Sequence, residues 1–329
     1  MRINNMKTRI LVVLIFSLFY CSVFSYAQAS KVDVVTIDGI IDPVDAEFLT
    51  KAIRNATSAG AECLIIQLDT PGGLDLAMRS IIKEMMRADI PVIVYVSPGG
   101  ARAASAGALI TIAAHIAAMA PGTNIGAATP VALGGGKMED DMAAKVKNDA
   151  AAYAESIATK RNRNKEWAIK AVRESVSITE NEALKIKVID LIAANVTDLL
   201  TQIDGREVKT EAGVKVLDTK NSTVNYIEMG LREKVLNTLS NPNIAYILFL
   251  VGLLGLYFEL SNPGAIFPGI VGGICLILAF FAFQTLPINY AGVLLIIFSV
   301  ILFILEIKVT SFGMLTVGGI ITLTLGSLM

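Results

Sequence analysis

The order of apolar and polar positions divides this 329-residue chain into three unlike stretches. From residue 30 to about 205, short unbroken apolar runs alternate with longer segments of helical period. Lys31–Ile37, Cys63–Leu68, Pro91–Val96 and Ile116–Met119 read as strands. The last three are continuously apolar rather than alternating, which predicts burial on both faces, as in a parallel sheet. Between them, Asp42 caps a helix whose first residue is Pro43 and which runs to about Ser58 before Gly60 stops it. Leu74–Ala88 is a second helix, with Leu74, Met78, Ile81, Ile82 and Met85 on one face. Ser105–Ala114 is a third, built of small residues. This βαβαβ order predicts an α/β layer of parallel strands flanked by helices.

The second half of this stretch is more helical. Met138–Asn162 is a long helix and Lys165–Arg173 a short one. Thr179-Glu180-Asn181-Glu182 is a capping box for another, and Thr197–Ile203 precedes Gly205. Residues 206–243 read as a hairpin and linker. Beyond them Ile244–Leu260, Ala265–Leu286, Ile288–Ile307 and Phe312–Met329 are four apolar runs, broken at Asn262-Pro263-Gly264, Pro287 and Thr310-Ser311. A spanning helix needs about 20 apolar residues, so residues 244–329 read as a transmembrane domain of about four helices in the lipid bilayer. The pairs Gly272-Gly273 and Gly318-Gly319 suit close helix contacts. Glu259 and Glu306 fall near helix ends, where an interfacial role fits them. The chain stops at Met329 inside an apolar run, which reads as a truncated sequence.

Charge sharpens the division. Residues 1–29 carry Arg2, Lys7 and Arg9 and no acid, followed by the apolar run Ile10–Phe19 and the small-x-small site Ala27-Gln28-Ala29. That is a signal-peptide pattern, with Ser30 as the mature start; the alternative is an uncleaved N-terminal anchor, since apolar residues continue past Cys21. The bulky Leu18-Phe19-Tyr20 before Cys21 argues against a lipidation site. The tail is too poor in Lys and Arg to orient itself, so the signal peptide sets residues 30–240 outside the cytoplasm. That middle stretch holds 24 Lys and Arg against 27 Asp and Glu with no basic stripe, which argues against nucleic-acid binding. Cys63 and Cys275 fall in a buried strand and an apolar helix and form no disulfide framework. No cluster has metal-ligand spacing, and neither a metal nor a cofactor is expected.

The candidate chemistry lies in two glycine turns. Asp69-Thr70-Pro71-Gly72-Gly73 follows one strand, and Pro98-Gly99-Gly100-Ala101-Arg102-Ala103-Ala104-Ser105-Ala106-Gly107 follows the next. Both sit at carboxyl ends of strands, where open α/β sheets bind ligands. A helix beginning at Ser105 aims its N-terminal N–H groups at the same place, and each well-placed donor is worth about 3 kcal/mol to a developing oxyanion. The candidate nucleophile is Ser105, with the N–H groups of Gly73 (Gly72 as its neighbouring alternative) and Ala106 as the oxyanion hole. Ser97 precedes a proline and fits a turn role; Asp69 fits a role in fixing the first turn.

A serine needs a base. The sole histidine, His115, lies ten residues along the helix that Ser105 starts, roughly 15 Å away at a helical rise, and reads as structural. Lysine is the remaining choice, since desolvation disfavours its charged form and makes it a proton acceptor. Lys137, Lys145 and Lys147 are the downstream candidates. Lys145 and Lys147 project about 200° apart, so only one faces inward. Spacing alone does not choose.

Leu68-Asp69-Thr70-Pro71-Gly72-Gly73, Ala103-Ala104-Ser105-Ala106-Gly107 and Ala120-Pro121-Gly122-Thr123-Asn124-Ile125-Gly126 resemble the nodulation-efficiency protein D (NfeD) family, from about residue 31 to 329. These are membrane-bound serine proteases of the ClpP and signal-peptide-peptidase-A class. The resemblance implies a ClpP/crotonase-like fold for residues 30–205 and a Ser–Lys dyad, its serine on Ser105 and its lysine on Lys145. Where ClpP has its histidine, this chain has Ala128. Long family members continue into an OB-fold domain, and this chain stops first. The resemblance also implies a stomatin-like membrane protein as partner or substrate, and the fold implies a homo-oligomer, dimer or larger. A groove beside Leu74, Val131 and Leu133 predicts apolar substrates. Two other readings compete: a non-catalytic membrane scaffold that docks a partner in the same groove, and a crotonase-type acyl-CoA enzyme. Export argues against the second, because CoA thioesters are cytosolic.

Overall fold

A computed structural model describes residues 30–131, 139–239, 241–262, 266–285, 290–309 and 311–328. The signal-peptide reading, Lys137 and Leu133 lie outside the described residues.

The chain opens with β1 (Lys31–Asp38), α1 (Pro43–Ser58), β2 (Cys63–Asp69), α2 (Asp75–Met86) and β3 (Val92–Val96). The predicted cap forms: the Asp42 carboxylate accepts the N–H groups of Val44 and Asp45, at 2.7 and 2.9 Å. Asp45 returns the contact by accepting the Asp42 N–H at 3.1 Å, which completes a capping box. Then follow β4 (Arg102–Ala104), α3 (Ala106–Ala113), β5 (Ile116–Met119) and β6 (Asn124–Gly126). The helices α4 (Asp140–Lys160) and α5 (Lys165–Arg173) precede β7 (Ser177–Thr179), α6 (Glu180–Lys185), β8 (Leu191–Ile192) and α7 (Val196–Ile203). A hairpin, β9 (Glu207–Thr210) and β10 (Gly213–Val216), leads into β11 (Thr223–Ile227).

Six strands form one parallel sheet in the order β11-β1-β2-β3-β5-β8. Its central strands are buried along almost their whole length, in keeping with their unbroken apolar runs. One face packs against α1 to α5, the other against α7 and the residues around β9. The segment after residue 205 is more than a linker. β11 pairs in parallel with β1 from Lys31↔Thr223 to Val35↔Ile227 and extends the sheet. Its pattern Thr-Val-Asn-Tyr-Ile alternates and is largely exposed, as an edge strand is, so it lacks the apolar run that marked the other strands.

The helices α8 (Leu231–Leu239), α9 (Pro242–Ser261), α10 (Ile266–Thr285), α11 (Tyr290–Lys308) and α12 (Met314–Leu328) complete the chain. Asn243–Ser261 and Ile266–Phe283 are long and apolar enough to cross a bilayer; the apolar stretches Ala291–Glu306 and Met314–Leu328 are shorter. One glycine of each predicted pair lies at a helix contact. A Cβ on Gly272 would lie 2.8 Å from the Gly252 carbonyl oxygen, and one on Gly319 would lie 2.5 Å from the Phe303 ring. Gly273 faces open space, and Gly318 meets nothing closer than Leu302 at 3.5 Å. Glu306 caps α12 by accepting the N–H groups of Gly313 and Thr316, at 2.9 and 3.1 Å.

Candidate active site

Because the sheet is parallel, the turns after β2 and β3 leave it at the same edge. The short strand β4 joins them. Thr70 N–H donates to the Arg102 carbonyl (2.8 Å), and Ala104 N–H donates back to the Thr70 carbonyl (3.1 Å). The Asp69 carboxylate accepts the Arg102 N–H at 3.0 Å, so Asp69 fixes the junction. On its other side β4 pairs in parallel with β6, and Ser105 N–H donates to the Gly126 carbonyl at 2.9 Å. Three segments distant in sequence therefore converge on the residue before α3.

That residue is Ser105, at φ 52° and ψ −115°. A non-glycine residue at positive φ carries strain of order 1–3 kcal/mol, held by the surrounding hydrogen bonds. The strain turns Ser105 out of β4 and starts α3 at Ala106. A Cβ on Gly72, itself at φ 136°, would lie 2.9 Å from the Ser105 Cβ; one on Gly73 would lie 2.2 Å from the Ile41 carbonyl oxygen. Only glycine lets this turn pack between Ile41 and Ser105.

The two candidate glycine donors differ. The Gly72 N–H is taken by Thr70 Oγ1 at 3.0 Å. The N–H groups of Gly73 and Ala106 have no acceptor among the described residues. Ala106 opens a helix, where the first N–H groups have no intrahelical partner.

Ser105 opens into a cavity of about 500 Å³ whose wall also includes Gly73, Leu74, Ala106, Val131 and Lys145. Lys147, on the same helix, does not line it. Lys145 stands exposed on α4, not desolvated by burial as the sequence reading expected of the base, and it has no ion-pair partner among the described residues. Leu74 and Val131 line the cavity as the apolar-groove reading expects. Ser97 is buried and turned elsewhere, accepting from Gln67 Nε2 at 3.3 Å and donating to the Tyr95 carbonyl at 3.4 Å.

His115 sits at the opposite edge of the sheet, in a separate cavity of about 400 Å³. Its Nδ1 accepts the Val92 N–H at 3.1 Å. Burial, reinforced by the Arg161 charge, pushes its pKa down to about 3. Sequence reasoning missed β4 and β6, whose three-residue lengths leave no periodic signal. It also missed Arg79, Asp149 and Tyr153 beside the cavity: Asp75 and Arg79 are visible as an i,i+4 pair, but nothing along the chain joins Arg79 to Asp149.

A mixed α/β domain with a strained serine between glycine turns is thus followed by a region of apolar helices. The chain belongs to the NfeD family: the NfeD1b N-terminal domain model matches residues 31–227, and the NfeD integral membrane domain model matches residues 243–329. It is an integral membrane protein. It is 36% identical to the membrane-bound protease PH1510 of Pyrococcus horikoshii, over 98% of this chain and 73% of that protein. It is 31% identical to the membrane protein NfeD1b of Bacillus subtilis, over 98% of this chain and 72% of that one. Among solved structures it resembles the 1510-N membrane-bound stomatin-specific protease, as a lysine-to-alanine mutant in complex with a substrate peptide. That likeness has a TM-score of 0.60 at 33% identity, covering 64% of this chain and 98% of the other. A serine-to-alanine mutant of the same protease matches with a TM-score of 0.58 at 35% identity, over 62% of this chain and 100% of that one.

Proposed function

We propose that this chain is a membrane-anchored serine endopeptidase with a Ser–Lys dyad. Ser105 Oγ attacks the scissile carbonyl while Lys145 Nζ takes its proton. The tetrahedral oxyanion forms between the N–H groups of Gly73 and Ala106. The lysine ammonium returns the proton to the leaving amine, and water then hydrolyses the acyl-enzyme by the same route. The observation that carries this reading is that Ser105, Lys145 and both free N–H groups border one cavity. The likeness to a protease crystallised as serine and lysine mutants supports it.

The substrate is an apolar segment of a membrane-associated protein, and a stomatin-like partner fits. Support comes from Leu74, Met78, Leu109 and Val131 in a cavity wall that also carries Asp75, Arg79, Lys145 and Asp149, and from where the chain turns toward its membrane domain. β11 runs parallel to the other strands, so it too leaves the sheet at the edge that holds Ser105. From there α8 packs on α1 through Lys51–Glu233 (3.3 Å) and Glu47–Arg232 (3.5 Å) before α9 begins. The signal-peptide pattern supports an extracytoplasmic protease domain.

The test uses the full chain in detergent and an internally quenched peptide of Leu, Val, Ala and Phe. Replacing Ser105 or Lys145 by Ala is expected to lower kcat by roughly 10⁴-fold, the scale set by losing one member of a catalytic unit. Wild-type rates in both variants would remove the dyad. A wild-type protein that binds but never cleaves apolar peptides would leave the docking scaffold as the better reading.

A further inference from the structure

Lys145 lies four residues before Asp149 on α4, the spacing at which helix side chains meet. Asp149 nevertheless reaches across the cavity mouth to α2, where its Oδ2 accepts from Arg79 Nη2 at 2.5 Å. Arg79 Nε donates to Asp75 Oδ2 at 2.8 Å, and the guanidinium stacks 4.3 Å over the Tyr153 ring. Two carboxylates from two helices and one aromatic face hold this guanidinium in place. Asp75, Arg79, Lys145 and Asp149 all line the cavity that Ser105 opens into.

We propose that Arg79 is a positioning residue for the Ser105–Lys145 pair: it holds the Asp149 carboxylate away from Lys145, leaving the lysine free to take the serine proton. The inference rests on the dyad reading above. A carboxylate beside a lysine stabilises the ammonium and opposes proton transfer to it. The charged groups that face Lys145 are Asp141 and Asp149 one turn away on α4, and Asp75 and Arg79 from α2. The remaining wall, formed by Leu109 of α3 and by Ala128, Pro130 and Val131, is uncharged. Arg173 of α5 also comes near, donating to Asn148 Oδ1 at 3.1 Å, but apart from Lys145 itself Arg79 is the one cation among the residues lining the cavity, and it offsets the acids there. Without it, Asp149 is released to pair with Lys145 and Asp75 loses its counter-charge.

The experiment is a pH–rate profile of the full chain in detergent, with the quenched apolar peptide as probe. Arg79→Met is expected to move the midpoint of the rising limb up by roughly 0.5–1 pH unit, the effect of one unit charge several ångström away at intermediate dielectric. The accompanying loss of kcat should be largest below that midpoint and small above it. Arg79→Gln, which keeps hydrogen-bonding capacity without the charge, should move the limb in the same direction and serves if the Met variant unfolds. Arg79→Lys should restore the wild-type midpoint, as should Asp149→Asn added to Arg79→Met. An equal loss of kcat at every pH with the midpoint unmoved would overturn the proposal, because Arg79 would then only brace α2 against α4. Failure of the dyad itself is separate: it would show as a rising limb that persists in Lys145→Ala.

Discussion

The two edges of the parallel sheet treat polar groups differently. At the edge where strands begin, most are paired, although Arg161 Nη2 is buried there without a hydrogen-bond partner among the described residues. Arg163 is 8% exposed and donates to the carbonyls of Ile112, Ala114 and Val188 and to the Asp190 carboxylate. His115 beside it is neutral and accepts a backbone N–H. At the edge where strands end, the Gly73 and Ala106 N–H groups have no acceptor, Ser105 is strained, and Lys145 lacks an ion pair among the described residues. Satisfied polar groups hold a fold together, whereas aimed and unsatisfied ones are available to a substrate. A titratable residue or an unpartnered donor next to a cavity is therefore a poor guide to the proposed reacting edge, since both edges have them; what separates the edges is a pair of free backbone N–H groups lining one cavity with a serine at positive φ.

The largest expected effect tests the edge where strands begin. Arg163→Met removes a buried charge while leaving three carbonyls and Asp190 behind, and should lower stability by about 3–5 kcal/mol. Thermal unfolding of the detergent-solubilised chain measures it. Well below the lowered melting temperature, kcat should stay within about twofold, since the change touches nothing at Ser105. A small stability change with a large loss of kcat would reverse the roles assigned to the two edges. The next effect belongs to the other edge. Gly73→Ala puts a methyl 2.2 Å from the Ile41 carbonyl and displaces the proposed oxyanion donor. The expected loss is roughly 10²–10³-fold in kcat, about 3–4 kcal/mol of transition-state stabilisation. Full activity in that variant would shift the donor role elsewhere.

What could be read from the sequence follows from what leaves a pattern along a chain. β2, β3 and the helices from α1 to α3 carry continuous or periodic apolar runs, and the Asp42-Pro43 start reads directly as a helix opening. The glycine turns were visible because tight approach needs glycine. Their convergence was not, because it depends on β4 and β6, three residues each, and on the Gly126 carbonyl reaching Ser105. β11 escaped because an exposed edge strand needs no apolar run. Which of Lys145 and Lys147 faces the cavity required knowing which face of α4 turns toward Ser105: Lys145 lines it and Lys147 does not, while Lys137 lies outside the described residues. The Arg79 bridge joins two helices 70 residues apart in sequence, which no local spacing encodes.

The smallest effect separates the edges by pH. His115 is held near 3 in the fold, mainly by burial, against about 6.5 in an unfolded chain. Above pH 6.5 it is neutral in both states and its contribution to stability is complete. As pH falls from 6.5 toward 3, the unfolded chain takes up a proton that the fold resists, and that contribution is lost. At pH 5 the loss should be about 2 kcal/mol. Asp45 slopes the other way: burial pushes its carboxyl up to about 7, so its contribution is complete below pH 4 and fades as pH rises through 7. The two therefore offset each other between pH 5 and 6.5, and wild-type stability alone does not reveal either. The difference between wild type and His115→Asn isolates the histidine, because Asp45 is common to both. That difference should shrink by about 2 kcal/mol between pH 7 and pH 5 in thermal or denaturant unfolding. A difference independent of pH would mean that His115 takes up its proton in the fold as readily as in the unfolded chain, and the edge where strands begin would then hold a group able to titrate near neutral pH.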